Sequence, residues 1–205
     1  FNIEYNFVGD FMYTIKEDLE NIKILKKSKF IAKVFFIKNQ KEANTIINNA
    51  RLEYKEATHI CYCYICNNTI KFSDDKEPNN TAGIPIYNVL KKNNLNYVLA
   101  IVIRYFGGIK LGSGGLIRTY SNCISELVNN NIIPIENSYL VDINFKYHNI
   151  KNVNQILNKY NIINKKYLTL INYKFEISKK EFKYINDKLK RYIENISIIK
   201  ESIIR

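Results

Sequence analysis

Five of the chain's seven glycines fall between Arg104 and Tyr120, and this cluster limits the folds that the chain can adopt. These glycines are Gly107, Gly108, Gly112, Gly114 and Gly115. Residues 97–103 before them form an apolar run of strand length, and residues 116–128 after them repeat apolar side chains at helical spacing. Because glycine accepts positive φ and allows close approach to the backbone, the pattern predicts a tight loop between a buried strand and a helix, with Ser113 as the N-cap.

The predicted loop has the features of an anion site. The first N–H groups of a helix lack intrahelical partners and, with the helix dipole, favour negative charge. The expected anion- or nucleic-acid-binding residues are Arg104, Lys110, Gly112, Ser113, Gly114, Gly115 and Arg118. The alternative is a tight turn whose glycines serve packing alone. A P-loop is excluded because Lys110 precedes the glycines, and the dinucleotide fingerprint is excluded because Ile117 stands at its third glycine.

Charge favours anionic partners. The 205 residues carry a net charge of +12, from 31 Lys and Arg against 19 Asp and Glu. Residues 138–205 hold 14 basic and 6 acidic residues, whereas residues 1–137 hold 17 and 13. RNA, ribosomes or acidic proteins are partners that such a balance attracts, and a solvated lysine-rich surface is the alternative.

Segment composition points to the cytoplasm. No apolar run reaches the roughly 18 residues that a membrane-spanning helix needs, so we expect no membrane association. Phe1, Asn2 and Ile3 are not the charged start of a secretory signal peptide. Four cysteines in a chain of this length do not form a disulfide framework, which favours a reducing compartment.

Hydrophobic patterning predicts two α+β domains, over residues 1–137 and 138–205. Residues 1–12 are expected to be irregular. The first domain is expected to hold strands at 13–15, 22–25, 28–37, 58–66, 69–73 and 97–103 and helices at 41–52, 81–90 and 113–130. The second is expected to hold strands at 139–145, 161–164, 167–177 and 196–204 and helices at 149–160 and 178–192. The resulting βαββαβ order suggests a ferredoxin-like domain.

Polar residues mark the expected helix starts. Asn39 and Thr81 are predicted N-caps in the first domain. In the second, Ser178 with Glu181 three residues later forms a capping box. Hairpin turns are expected at Asn67–Asn68 and at Lys165–Lys166.

An acidic loop precedes the second helix and is a possible wall of the site. Asp74, Asp75 and Glu77 lie within four residues and, with His59, are candidate site-lining groups. Clustered carboxylates bind Mg²⁺ or supply a general base. The alternative is a turn whose carboxylates lie at a helix start and pair with Arg104 or Arg118, in which case Asp75→Asn alters stability more than metal affinity.

Other catalytic or metal patterns have little support. His59, Cys61 and Cys63 alternate on one strand face, with Cys66 out of phase, and adjacent residues on one strand are poorly placed for a tetrahedral metal site. The Cys63–Cys66 pair lacks the helix start that activates a redox thiol. Residues 112–114 lack the nucleophile elbow of hydrolases. We therefore expect no metal, no cofactor and no catalytic triad.

The second domain carries a basic and aromatic strand pair. Lys165 and Lys166 are expected as secondary phosphate contacts at the turn. Tyr167, Tyr173 and Phe175, with Lys174, suggest either an RNA-facing sheet or a packed core face.

Four segments carry a family resemblance: residues 104–120, 73–83, 28–32 and 57–61. Their order and spacing match the YigZ/IMPACT family over nearly the whole chain, and the chain resembles its bacterial-type two-domain members. Lys76 and Asn80 stand where the family usually has glycine. The resemblance implies an α+β fold: an N-terminal α/β sandwich like domain 2 of a small-subunit ribosomal protein, then a ferredoxin-like domain.

The resemblance also implies a function. It suggests a cytoplasmic, translation-associated binding protein or regulator, more a binding protein than an enzyme, which contacts RNA or the ribosome through the glycine-rich loop or engages a protein partner in translation control. Two alternatives stay open. One is an enzyme that acts on a phosphorylated small molecule or nucleotide, and the other is a protein-interaction adaptor.

Overall fold

The computed structural model describes residues 13–67 and 69–204 of the chain. It contains two compact units, the first ending at Pro134 and the second beginning at Ile135. The expectation for residues 1–12 lies outside the described residues, and so does Asn68 of the first expected turn. No helix among the described residues is both long enough and apolar enough to cross a membrane.

The first unit is built on a five-stranded antiparallel sheet. The strands of the unit are β1 (Tyr13–Ile15), β2 (Leu19–Leu25), β3 (Ser28–Phe36), β4 (His59–Cys66), β5 (Thr69–Ser73), β6 (Val98–Tyr105) and β7 (Ile132–Pro134), and five of these seven form the sheet. Its helices are α1 (Gln40–Glu53), α2 (Gly83–Lys92) and α3 (Ser113–Val128). The sheet order is β2-β3-β6-β4-β5, and β1 pairs separately with β7. Asn39 caps α1 by accepting a hydrogen bond from the Glu42 amide, as expected.

Helices cover both faces of this sheet. Because side chains alternate along a strand, β6 supplies Ala100 and Val102 to one core and Ile101 and Ile103 to the other. Helices α2 and α3 pack on the first face, and α1 packs on the second. The central strand β6 is therefore buried on both sides, which explains why its sequence reads as a continuous apolar run.

The second unit has the expected ferredoxin-like βαββαβ order. Its elements are β8 (Glu136–Phe145), α4 (Ile150–Ile156), β9 (Ile162–Tyr167), β10 (Ile171–Ser178), α5 (Lys179–Leu189) and β11 (Asn195–Ile204). The antiparallel sheet has the order β11-β8-β10-β9. The Ser178 hydroxyl accepts a hydrogen bond from the Glu181 amide at 3.3 Å, which places the predicted N-cap.

The hairpin of the second unit differs from the prediction. Lys165 and Lys166 lie within β9, paired with Tyr173 and Asn172, and the turn falls at residues 168–170. Two adjacent lysines suggested a solvated turn, but β9 is an edge strand and carries them as exposed strand residues.

Candidate functional site

Strand register brings the polar residues of the site together. Arg104, near the end of β6, lies opposite His59 on β4 and opposite Phe30 on β3. Cross-strand neighbours share a face, and this is the face that α2 and α3 cover. The acidic loop between β5 and α2 lies next to these residues, so that Glu77 reaches Arg104.

Glu77 is the centre of a buried ion-pair network. Its Oε1 accepts a hydrogen bond from Arg104 Nη1 at 2.6 Å and one from the Tyr120 hydroxyl at 2.8 Å. Its Oε2 lies 3.8 Å from His59 Nε2. Both Glu77 and Arg104 are at least nine-tenths buried. The expectation that a carboxylate of this loop pairs with Arg104 is therefore confirmed.

Burial keeps the neighbouring hydroxyl and thiol protonated. It raises the pKa of the Tyr120 phenol and of the Cys61 thiol, and the Glu77 charge raises both further. The Cys61 thiol lies 3.0 Å from the Asp74 carbonyl oxygen and 3.5 Å from the Tyr120 hydroxyl. The Tyr120 hydroxyl and the Cys61 thiol are therefore hydrogen-bond donors in this network.

Asp74 caps α2 from a distance in sequence. Its Oδ1 accepts hydrogen bonds from the amides of Ala82 and Gly83 at 2.9 and 2.8 Å, and its Oδ2 accepts one from Asn80 at 2.9 Å. The prediction that Thr81 is the N-cap is wrong. The N-cap is Ala82, the helix starts at Gly83, and the Thr81 hydroxyl donates instead to the Pro78 carbonyl at 2.6 Å. The amides of the N-cap Ala82 and of Gly83, the first residue of α2, are thus satisfied by a carboxylate that lies earlier in the chain.

Asp75 joins the loop to β4. Its Oδ2 accepts a hydrogen bond from the Ile60 amide at 2.6 Å, and its carbonyl oxygen lies 2.8 Å from His59 Nδ1. A carbonyl only accepts, so His59 Nδ1 is the donor in this contact.

The two departures from the family pattern both lie in left-handed backbone. Lys76 has φ 68° and Asn80 has φ 64°. Asparagine suits position 80 because it tolerates this region better than most residues. Lys76 carries the steric cost of a Cβ in the same region, and its side chain is exposed.

The glycine-rich loop leaves the start of α3 without a side-chain cap. The prediction that Ser113 is the N-cap is wrong. Gly112 occupies that position at φ 72°, and no side chain among the described residues caps the helix. Residues 112–114 are exposed to solvent. The first amides of α3 therefore face an accessible region.

One glycine of the loop has a steric role. A Cβ on Gly107 would stand 2.0 Å from the Lys27 carbonyl carbon, so only glycine fits beside the β2–β3 turn. The Gly107 amide donates to the Ser28 hydroxyl at 3.1 Å. The alternative interpretation, that glycines serve packing, applies to this position and not to the exposed Gly112.

Two exposed cations flank the helix start. Lys110 precedes Gly112 and lines the adjacent pocket. Arg118 lies one turn into α3, and its Nη1 is 3.6 Å from the position that a Cβ on Gly114 would take. The Arg118 guanidinium therefore folds back along the helix towards its N-terminus.

The acidic loop and the glycine-rich loop enclose a pocket of about 360 Å³. Its lining residues are Thr58, His59, Glu77, Pro78, Arg104, Phe106, Lys110, Leu111, Gly112, Ser113 and Leu116. Expected site residues that lie outside this lining are Asp74, Asp75, Gly114, Gly115 and Arg118. The pocket thus has one wall of paired charges and one wall of a helix start beside Lys110.

Sequence reasoning missed several lining residues. The apolar ones among them are Pro78, Phe106, Leu111 and Leu116. Phe106 follows a strand and is 44% exposed, and an aromatic residue just before a glycine pair is the signal that was available. Thr58 also went unassigned, although its hydroxyl accepts a hydrogen bond from the Phe106 amide at 3.0 Å.

Two aromatic residues of β10 belong to the core of the second unit. Tyr173 and Phe175 are buried, so of the two alternatives the packed core face holds for these residues. Lys165 lies 5.0 Å from the Tyr173 ring centroid, and Lys174 lies 3.6 Å from Asp142. Alternation along β10 decides this, because the aromatic residues share the face that packs against the helices.

The cysteines and carboxylates do not converge on a metal geometry. Within residues 13–67 and 69–204, no group of three His, Cys, Asp or Glu side chains is arranged to hold a metal ion. Cys61 and Cys63 face the core under α2 and α3, whereas Cys66 faces α1, as the strand period predicts.

Comparison with known proteins identifies relatives. The family model of the Impact N-terminal domain matches residues 26–128. "IMPACT family member YvyE" of Bacillus subtilis is 43% identical over 120 residues, covering 57% of this chain and 55% of that protein. An "IMPACT family member" of Haemophilus influenzae is 31% identical over 145 residues, covering 67% of this chain and 70% of the relative. The match to the first of these thus spans about half of its length.

A solved structure shares the fold. The crystal structure of a hypothetical protein superimposes with a TM-score of 0.62 at 22% identity, over 94% of this chain and 99% of that chain. At that identity the likeness concerns the fold alone. The similarity covers both units, whereas the family model covers part of the first.

Proposed function

This chain belongs to the IMPACT family, and from that premise we propose that it is a cytoplasmic, translation-associated protein that binds RNA, ribosomal RNA included, at the glycine-rich loop. The link to translation comes from the family resemblance. The link to RNA comes from the loop itself. The observation that supports RNA binding most directly is the exposed, uncapped start of α3 beside two solvent-facing cations, Lys110 and Arg118.

The two walls of the pocket explain why negative charge belongs at the glycine-rich loop. Glu77 carries the negative charge of the other wall, and its Oε1 is already engaged by Arg104 and Tyr120. The amides at residues 113–115 are not capped by a side chain. Phosphate oxygens are acceptors that satisfy such amides, and the dipole of a 16-residue helix adds to the attraction.

Charge elsewhere in the chain supports binding without sequence specificity. The net charge of +12 attracts a polyanion over the whole surface. Lys165 and Lys166 are exposed on β9 and are secondary phosphate contacts in this proposal. Their contribution is an increase in affinity that high salt removes.

The test is RNA affinity measured by filter binding across a salt series. Lys110→Ala and Arg118→Ala are each expected to weaken binding and to reduce the slope of log K against log salt by about 0.7, the value for one contact with a single strand. Lys41→Ala is the matched control, since Lys41 is an exposed lysine on α1, across the sheet from the loop. RNA binding that is absent, or that falls equally in the control, contradicts the proposal.

A second candidate function follows from the size of the pocket. A cavity of about 360 Å³ with an apolar lining fits a small phosphorylated molecule or nucleotide, so an enzyme acting on such a substrate is the competing proposal. Thermal unfolding with ATP and Mg²⁺ separates the two. A rise of several degrees that Lys110→Ala abolishes favours the small-molecule function, and an unchanged midpoint favours RNA.

A further inference from the structure

Phe106 is an exposed aromatic ring on a rigid support. It is 44% exposed at the end of β6, where it lines the pocket. The Arg104 guanidinium carbon lies 5.4 Å from its ring centroid and 5.3 Å from that of Phe30. The Phe106 amide donates to the Thr58 hydroxyl. A ring with its backbone held and a buried cation against it is a stacking surface that loses little entropy on binding.

The rest of the pocket is suited to a flat apolar group with a charged end. Pro78, Leu111 and Leu116 supply further apolar lining, and Lys110 with the α3 start supplies the cationic end. A volume of about 360 Å³ lies in the range of small-molecule sites. A nucleotide has both parts, a planar base and a phosphate.

Arg104 leaves one buried donor unpaired beside the pocket. Its side chain lines the pocket and is 5% exposed, and two of its nitrogens bind Glu77 and Ser28. Its Nε has no hydrogen-bond partner among the described residues. A buried guanidinium with one unused donor is costly unless something approaches it.

We propose that the pocket binds one unpaired nucleotide of an RNA strand, with the base stacked on Phe106 and its phosphate at the start of α3 and Lys110. This deepens the proposed function and rests on it. A base inside a duplex is stacked on both faces and cannot reach the ring, so the protein selects single-stranded segments. Because any base can stack on the ring, the site recognises that a nucleotide is unpaired and not which base it carries.

The test uses short single-stranded RNA with one 2-aminopurine, whose fluorescence falls when it stacks on an aromatic ring. Wild-type protein is expected to quench the probe. Phe106→Ala is expected to abolish quenching and to lower affinity about tenfold or more, the effect of losing one stacked base. Its salt slope stays that of wild type, because no charge is removed. Phe106→Tyr keeps an aromatic face for stacking and is expected to retain both the quenching and the affinity of wild type.

Two controls fix the interpretation. Phe72→Ala removes an equally exposed ring, 42% exposed on β5 and outside the pocket lining, and is expected to leave quenching intact. A blunt duplex of the same sequence is expected to bind more weakly than the single strand. The wild-type measurement needs no variant, so the proposal stays testable even if Phe106→Ala unfolds.

The outcomes distinguish the nucleotide pocket from the proposed RNA binding at the glycine-rich loop. RNA that binds with the expected salt slope but without quenching overturns the nucleotide pocket and leaves the proposed function standing. RNA that fails to bind at any salt overturns both. Quenching that survives Phe106→Ala but not Phe72→Ala moves the stacking surface elsewhere and also overturns the proposal.

Discussion

The two walls of the pocket are made of similar polar groups but treat them in opposite ways. In the acidic-loop wall, Glu77 accepts hydrogen bonds from Arg104 and Tyr120, and Asp74 behind it accepts from backbone amides. In the glycine-rich wall, the α3 amides lack a side-chain cap and Lys110 is exposed. Apart from Arg104 Nε, the polar groups of the first wall are bonded within the fold, whereas those of the second are available to a ligand.

This difference separates stability from binding. A residue whose partners are internal should matter to folding, whereas one whose groups face solvent should matter to a ligand. Each prediction below tests one side of that contrast, beginning with the largest expected change in the free energy of unfolding.

Glu77→Gln should have the largest effect. It removes the charge opposite the buried Arg104 guanidinium at 2.6 Å, which leaves an uncompensated buried charge. We expect a loss of about 3 kcal/mol in the free energy of unfolding, measured by guanidinium denaturation. The double variant Glu77→Gln/Arg104→Met should recover part of the loss, because it also removes the buried positive charge that Glu77→Gln leaves unpaired. A single variant as stable as wild type would show that the network does not support the fold.

Asp74→Ala should come next. Three backbone amides lose their acceptor, two of them at the start of α2. Loss of an N-cap costs about 1–2 kcal/mol, and we expect the upper part of that range. Asp187→Ala removes an exposed carboxylate paired with Lys190 and serves as the control, with an effect below about 0.5 kcal/mol. Equal effects of the two variants would contradict the capping role.

Lys76→Gly should stabilise the protein. Lys76 is held at φ 68°, where a Cβ costs about 1–2 kcal/mol, and glycine recovers this less its larger entropy in the unfolded chain. The expected net gain is about 0.5 kcal/mol in thermal or denaturant unfolding. Lys71→Gly, on strand β5, should instead destabilise. A loss of stability in Lys76→Gly would mean that the lysine side chain has a structural role of its own.

Lys110→Ala should have the smallest effect on stability. The side chain is exposed beside the glycine-rich loop, so the free energy of unfolding should change by less than about 0.5 kcal/mol. RNA affinity should nevertheless fall in the same preparation. A variant that unfolds more readily but binds RNA normally would reverse the assignment of the two walls.

Local patterns predicted most of the elements and the N-caps of α1 and α5, but not the N-caps of α2 and α3. The strand before the glycine-rich loop, the helix after it and the βαββαβ order of the second unit follow from periodicity and turn residues. Ser113 and Thr81 looked like N-caps because their residue types favour that position. Instead, Gly112 is the N-cap residue of α3, and the Asp74 side chain caps α2 from the other end of the acidic loop. The capping propensity of a residue type takes no account of a hydrogen-bond acceptor that folding brings from a distant part of the chain.

The sequence by itself determined the β–loop–α arrangement around the glycines and the ferredoxin-like order, because both depend on neighbours along the chain. It also determined the excess of positive charge, which depends on composition alone. Tertiary structure alone decided that Glu77 meets Arg104 across 27 positions and Tyr120 across 43, that Phe106 faces a pocket, and that Tyr173 is buried. The reason is that contacts between distant residues depend on strand register and helix packing, which a local pattern constrains only in part.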